Sequence, residues 1–200
     1  MMEFLLNLDR DVFIFLNSFG NETWDPFWLW ITKQINWIPI FLIFFYLIFK
    51  HYGWRHALLI IVMISLLILI TDQTTNHLFK YRFERLRPGS DPSLDGLIRA
   101  VHTSKTFSFI SGHASNSMAA CFFLYTVLKT RVKYIAIMFL WPLVFAYSRI
   151  YLGLHYPGDI LAGYIWGILM ALLVLKLYVI LRDKYFPNRE SIEVVEDAEL

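Results

Sequence analysis

The chain has 200 residues, of which 58 % are hydrophobic and 17 % charged, and its mean hydropathy is +0.52. That is too apolar for a soluble domain of this length and points to a membrane protein. The net charge of +2 gives no strongly basic surface of the kind nucleic-acid binding needs, and the single cysteine, Cys121, excludes an intrachain disulfide.

The first element, residues 1–19, carries Phe4, Leu5, Leu8, Val12, Phe15, Leu16 and Phe19 at helical spacing. Asp9, Arg10 and Asp11 interrupt its apolar run, and Glu3 stands where a signal peptide is basic, so it does not read as a cleaved leader. It reads as a helix lying in the membrane interface, with packing on a helical bundle as the open alternative. Spans are expected over about 24–50, 57–79, 113–128, 134–151 and 159–181, the first bent near Pro39 and flanked by Trp24, Trp28 and Trp30. The fold class expected is therefore an all-α integral membrane bundle of about five transmembrane helices plus an N-terminal interfacial helix. Residues 1–182 form one domain, and 183–200 form an acidic, disordered tail.

Two loops, 80–110 and 152–158, are separated by two spans and so share a membrane face. The other face collects Lys50, Arg55, Lys129, Arg131, Lys133, Arg182, Lys184 and Arg189, as expected for a cytoplasmic side. The shared loops also hold cations, which fits that rule only if those cations bind an anion.

Three clusters carry the chemistry. Lys80 and Arg87-Pro88 end the second span. Lys offers a point charge and Arg a planar fork for phosphate oxygens, while a basic interfacial collar is the plain alternative. Ser111-Gly112-His113 opens the third span. Free N–H groups at a helix start, a glycine allowing close approach and a proton-carrying imidazole suit a phosphate ester, while an N-cap beside a chance histidine is the alternative. Ser148-Arg149, His155 and Asp159 close the fourth span and open the fifth. A cation inside a membrane helix is costly and usually functional. A carboxylate near an imidazole can fix the tautomer that leaves the other nitrogen nucleophilic, although Asp159 alone would also serve as a cap. Asp72 and Asn76 share a helix face with Lys80. Asn116 and Ser117 follow His113 by one turn, and polar contacts between membrane helices account for them equally well. Trp141 and Trp166 read as bundle packing.

At this point the chain resembles the type 2 phosphatidic acid phosphatase superfamily, which includes vanadium haloperoxidases. Lys80, Arg87 and Pro88 match its Lys-six-residues-Arg-Pro element. Ser111, Gly112 and His113 match Pro-Ser-Gly-His except that Ile110 replaces proline. Ser148, Arg149, His155 and Asp159 match Ser-Arg-five-residues-His-three-residues-Asp. The resemblance covers about 72–163. It implies His155 as a nucleophile forming a phosphohistidine, Asp159 orienting it, and His113 protonating the leaving oxygen and then assisting water. Lys80, Arg87, Ser111, Gly112 and Arg149 would hold the phosphate. It implies no metal and no cofactor. The partners implied are a membrane lipid phosphate and the bilayer, with no nucleic acid. The expected place is a bacterial cytoplasmic membrane with the site facing the exterior or periplasm. Undecaprenyl diphosphate is the first substrate expected; phosphatidylglycerol phosphate, phosphatidic acid and the 1-phosphate of lipid A are alternatives. A non-catalytic lipid-binding scaffold is disfavoured because every motif histidine and cradle cation is kept.

Overall fold

Helix-breaking residues set most boundaries in the computed structural model, which describes residues 2–187. Helix α1 spans Met2–Asn17, α2 Asp25–Ile31 and α3 Ile38–Thr74. A π-helical turn, Thr75–Lys80, carries α3 into the short α4, Tyr81–Phe83. Then follow α5 (Gly112–Leu128), a 3-10 stretch at Ile135–Phe139, α6 (Leu140–Tyr151) and α7 (Pro157–Tyr185). Among the described residues there is no strand.

The expected first span, 24–50, is not one helix. Lys33 is extended, so α2 stops after Ile31, and α3 starts at Ile38 with Pro39 in its first turn, where a missing N–H costs nothing. Inside α3, Gly53 adopts φ 68° and ψ 168°, a conformation that glycine accepts readily, and it divides the helix between the two spans expected there. Two stretches, Gln34–Phe83 and Pro157–Tyr185, are long and apolar enough to cross a membrane. Helix α7 runs on to Tyr185, past the expected start of the tail at 183. Residues 188–200, with Glu193, Glu196, Asp197 and Glu199, lie outside the described residues.

Helices α5 and α7 form the centre. A Cβ added at Gly163 would sit 2.8 Å from the Ser111 carbonyl oxygen, and one at Gly167 would clash with the Ser115 carbonyl. Small residues let these backbones touch, as in membrane bundles generally. The main core joins them to both halves of α3 through Ile48, Ile60, Leu67, Phe123 and Val174. Trp141 is buried against Trp37, Phe41 and Phe145, and the Trp166 indole donates to Thr74 Oγ1 at 3.0 Å, so both act in packing.

Helix α1 follows its alternative reading and packs on the bundle. Phe4, Leu5, Leu8, Phe15 and Phe19 face outward, about half or more exposed. Phe13 is fully buried against the Tyr156 ring, with centroids 5.3 Å apart. Asn17 is buried and donates to the carbonyls of Ile150 and Tyr151, which docks the helix end onto α6. The helix therefore packs on the bundle while presenting an apolar face outward.

Candidate active site

The loop between α6 and α7 is held rigidly. Gly153 turns it at φ 79°, and the amides of Leu154 and His155 both donate to the Arg149 carbonyl. Gly89 N donates to the Gly153 carbonyl at 2.9 Å, joining the first cluster to the third. His155 is 2 % exposed. Its Nδ1 lies 3.5 Å from Asp159 Oδ2, close enough for charge but too far for a good hydrogen bond, and its Nε2 lies 3.2 Å from Arg87 Nη1. Arginine can only donate, so Nε2 must be the accepting nitrogen and the ring proton belongs on Nδ1, toward Asp159. Burial first, then the charges of Arg87, Arg149 and Lys80, hold the His155 imidazole well below its usual pKa. Nε2 is thus unprotonated at neutral pH, its lone pair turned to the Arg87 guanidinium.

Arg87 leaves α4 on extended backbone fixed by Pro88 and is 5 % exposed. Its Nε donates to Thr106 O at 2.8 Å, Nη2 to Thr106 Oγ1 at 2.9 Å, and Nη1 to Leu154 O at 3.0 Å. One guanidinium therefore ties both loops to the imidazole.

The second cluster meets the other two at the start of α5. Ser111 caps this helix, its Oγ accepting from Ala114 N at 3.4 Å, and Ser111 N donates to Asp159 O at 3.0 Å. A Cβ on Gly112 would lie 4.0 Å from Lys80 Nζ, so the ammonium stands over the glycine at the helix start. Such a start binds anions through free N–H groups and the helix dipole. His113 packs its ring 5.0 Å from Phe145. Ile110, which replaces the usual proline, is buried, and the Phe109–Ile110 peptide is cis.

Lys80 is aimed by a polar chain. Its Nζ donates to Asn76 Oδ1 at 2.8 Å, Asn76 donates to Asp72 at 3.2 Å, and Asn116 donates to the same carboxylate at 3.4 Å. Asp72, Asn76 and Asn116 thus support the site, whereas Ser117 bonds only within its own helix. Arg149 Nη1 donates to Thr32 Oγ1 at 2.6 Å, and its Nε is buried without a partner, as is His155 Nδ1.

Contacts join Arg87, His155, Asp159, Ser111, Gly112 and Lys80 in turn, the Arg149 carbonyl accepts from the His155 amide, and His113 follows Gly112 on α5. Four others, Asp9, Arg85, Thr106 and Thr32, carried no motif or spacing that marked them. Arg85 donates to Asp159 Oδ1 and Asp9 Oδ2, each at 2.8 Å; Thr106 holds Arg87; Thr32 holds Arg149. Arg85 stood out only as one more loop cation. His102 is exposed in the long loop. Among the described residues, no three His, Cys, Asp or Glu side chains come together as a metal site.

A bundle of apolar helices that gathers three cations, a helix start and two histidines at one end defines a membrane protein built for phosphoryl transfer. Residues 61–183 match the PAP2 superfamily; the chain belongs to that family and is a phosphoric-ester hydrolase of its class. It is 36 % identical to a lipid A 4'-phosphatase of Bacteroides thetaiotaomicron over 84 % of this chain and 75 % of that protein. It is 29 % identical to a lipid A 4'-phosphatase of Porphyromonas gingivalis over 92 % and 78 %. The crystal structure of the transmembrane PAP2-type phosphatidylglycerolphosphate phosphatase of Bacillus subtilis shares the fold, with TM-score 0.62, 22 % identity and coverage of 86 % and 85 %. That of Aquifex aeolicus LpxE gives 0.58, 22 %, 84 % and 95 %.

Proposed function

We propose that the chain removes a phosphate from lipid A, with the 4'-phosphate as the leading site, through a phosphohistidine on His155. The observation that carries the mechanism is the Arg87 Nη1 to His155 Nε2 contact at 3.2 Å. A phosphoryl group drawn to the guanidinium arrives at the imidazole lone pair. Nε2 attacks phosphorus and the bond to the lipid oxygen breaks. His113 gives that oxygen its proton, then takes one from the water that splits the N–P bond and frees phosphate. Asp159 offsets the positive charge that builds on His155. Lys80, Arg87, Arg149, Ser111 and the Gly112 N–H hold the equatorial oxygens, and electrostatic stabilisation of this kind supplies most of the rate. Metal and cofactor have no part in this scheme.

Lipid is supported by an apolar cavity of about 310 Å³ between α3, α5 and α6. Trp37, Phe41, Trp141 and Phe145 line it, and Phe145 also touches His113. Lipid A displaces the undecaprenyl diphosphate expected from sequence because both lipid A 4'-phosphatases match over more than four-fifths of this chain. The relative named phosphatidylglycerophosphatase B matches over 56 % of it, at 35 % identity. Five spans follow if the two halves of α3, α5, residues 135–151 and α7 each cross the membrane. The basic set at Lys50, Arg55, Lys129, Arg131 and Lys133 then faces the cytoplasm, and the site faces the periplasm.

The test is phosphate release from bisphosphorylated lipid A in detergent with excess EDTA, with the product's phosphate position read by mass spectrometry. Loss of the 4'-phosphate by wild type and none by His155→Ala is expected. Faster turnover of undecaprenyl diphosphate or phosphatidylglycerol phosphate by a wide margin overturns the substrate. A requirement for added metal overturns the mechanism.

A further inference from the structure

Arg85 lies within the first cluster but outside its motif, and it bridges two carboxylates. Nη1 donates to Asp159 Oδ1 at 2.8 Å and Nη2 to Asp9 Oδ2 at 2.8 Å. Its guanidinium carbon sits 3.8 Å from the centre of the Tyr156 ring. Asp159 is fully buried; its other oxygen accepts from Tyr156 N at 2.9 Å and faces His155 Nδ1. Asp9 is 14 % exposed, and its second oxygen accepts from Gly158 N at 2.6 Å, in the first turn of α7. A residue of α1, outside the family-matched segment 61–183, thereby grips both the arginine and the backbone beside the carboxylate that faces the imidazole.

We propose that Asp9 is a positioning residue for the nucleophile, acting through Arg85 and Gly158 on Asp159 and hence on His155. The inference rests on reading His155 as the nucleophile. Two physical consequences follow from the bridge. The first concerns charge. Attack by Nε2 leaves a cationic phosphohistidine, which Asp159 must offset. Arg85 alone would cancel Asp159, whose burial leaves its charge weakly screened. With Asp9 on its other side, the group of three keeps a net charge of −1, and Asp159 stays an effective anion toward the ring. The second concerns geometry. Arg85 presents a fixed planar fork, and holding both ends fixes where the Asp159 carboxylate sits. A partner that orients an active group from behind changes rate more than binding, because it never touches the phosphate.

Gly158 supplies a variant that leaves Asp9 and Arg85 chemically unchanged. A Cβ there would lie 2.8 Å from Asp9 Oδ2 and 3.0 Å from Asp9 Cγ, the far end of a side chain that can swing away. Gly158→Ala should therefore dislodge the Asp9 carboxylate.

The experiment compares full-length wild type, Asp9→Asn, Gly158→Ala, Arg85→Gln, Arg85→Lys, Asp9→Asn/Arg85→Gln and His155→Ala in detergent. Turnover is measured on lipid A and, independently of the lipid's identity, on p-nitrophenyl phosphate. Competitive inhibition by inorganic phosphate reports on the cradle, which Asp9 does not touch. Asp9→Asn and Gly158→Ala should each lower kcat by about 10- to 100-fold, the scale set by small misplacements of a reacting group, while KM and phosphate inhibition stay within about twofold. Arg85→Lys should recover part of what Arg85→Gln loses, and the double variant should be no slower than Arg85→Gln. Wild-type kcat in both Asp9→Asn and Gly158→Ala overturns the proposal. So does a fall in phosphate affinity matching the fall in kcat, which marks general loss of structure. If His155→Ala keeps activity, the nucleophile assignment fails and this inference goes with it. If His155→Ala is dead and both Asp9→Asn and Gly158→Ala are unimpaired, the positioning role alone is wrong.

Discussion

Arg149, the cation at the end of α6, is held by Thr32, the residue that ends α2: Nη1 donates to Oγ1 at 2.6 Å. The two lie 117 positions apart. The break after Ile31 therefore does more than interrupt an apolar run, because it turns a hydroxyl toward the phosphate cradle. Arg149 Nε has no partner, so Thr32 is the side chain that sets the direction of this guanidinium.

Thr32→Val keeps shape and removes the acceptor. A hydrogen bond to a charged group contributes about 1.5–3 kcal/mol, so kcat/KM and phosphate affinity should both fall by roughly 10- to 100-fold. Thr32→Ser should retain most of both. The assay is steady-state turnover with phosphate as competitor. Unchanged phosphate inhibition in Thr32→Val would show that Arg149 needs no such support.

His155 should make stability depend on pH. Its folded-state pKa lies well below the ordinary imidazole value, because it is buried and then because Arg87, Arg149 and Lys80 surround it. The unfolded chain, near 6.5, therefore takes up the proton first. The folded state keeps its full advantage above about pH 6.5 and loses it as pH falls, by at most about 1.4 kcal/mol per pH unit from this one group. His155→Gln should flatten the fall in Tm between pH 6.5 and 5 in detergent. Parallel Tm curves for variant and wild type would remove His155 from the account.

The eight candidate residues were picked out by fixed, short spacings that match the family's motif, since each cluster taken alone also read as a basic collar or a helix cap. Their supports were not. Asp9 meets Gly158 across 149 positions and Thr106 meets Arg87 across 19, and no periodicity marks such pairs. The division of α3 was legible in the polar stretch around Gly53. The start of the first span was not, since the apolar, tryptophan-rich run at residues 27–31 reads as part of a span while the backbone opens at Lys33. For α1, helical spacing gave the helix. It could not distinguish Phe13, buried on Tyr156, from Phe15, exposed two residues later.

Gly163 and Gly167 should separate packing from function. Both lie on α7 where it meets α5, one turn apart. A methyl at Gly163 presses on the carbonyl of Ser111 at 2.8 Å, and Ser111 caps the helix whose start is the proposed anion site. A methyl at Gly167 presses on Ser115, one turn deeper. Overpacking of this kind costs about 1–3 kcal/mol, so both Gly163→Ala and Gly167→Ala should lower Tm. Gly163→Ala should also weaken phosphate inhibition several-fold, because the shifted Ser111 no longer presents its hydroxyl and the Gly112 N–H at the same point. Gly167→Ala should leave that inhibition unchanged in the fraction that stays folded. Equal effects of the two on phosphate binding would mean that α5 moves as one rigid rod, and that the anion site is tuned by the whole helix and not by its first turn.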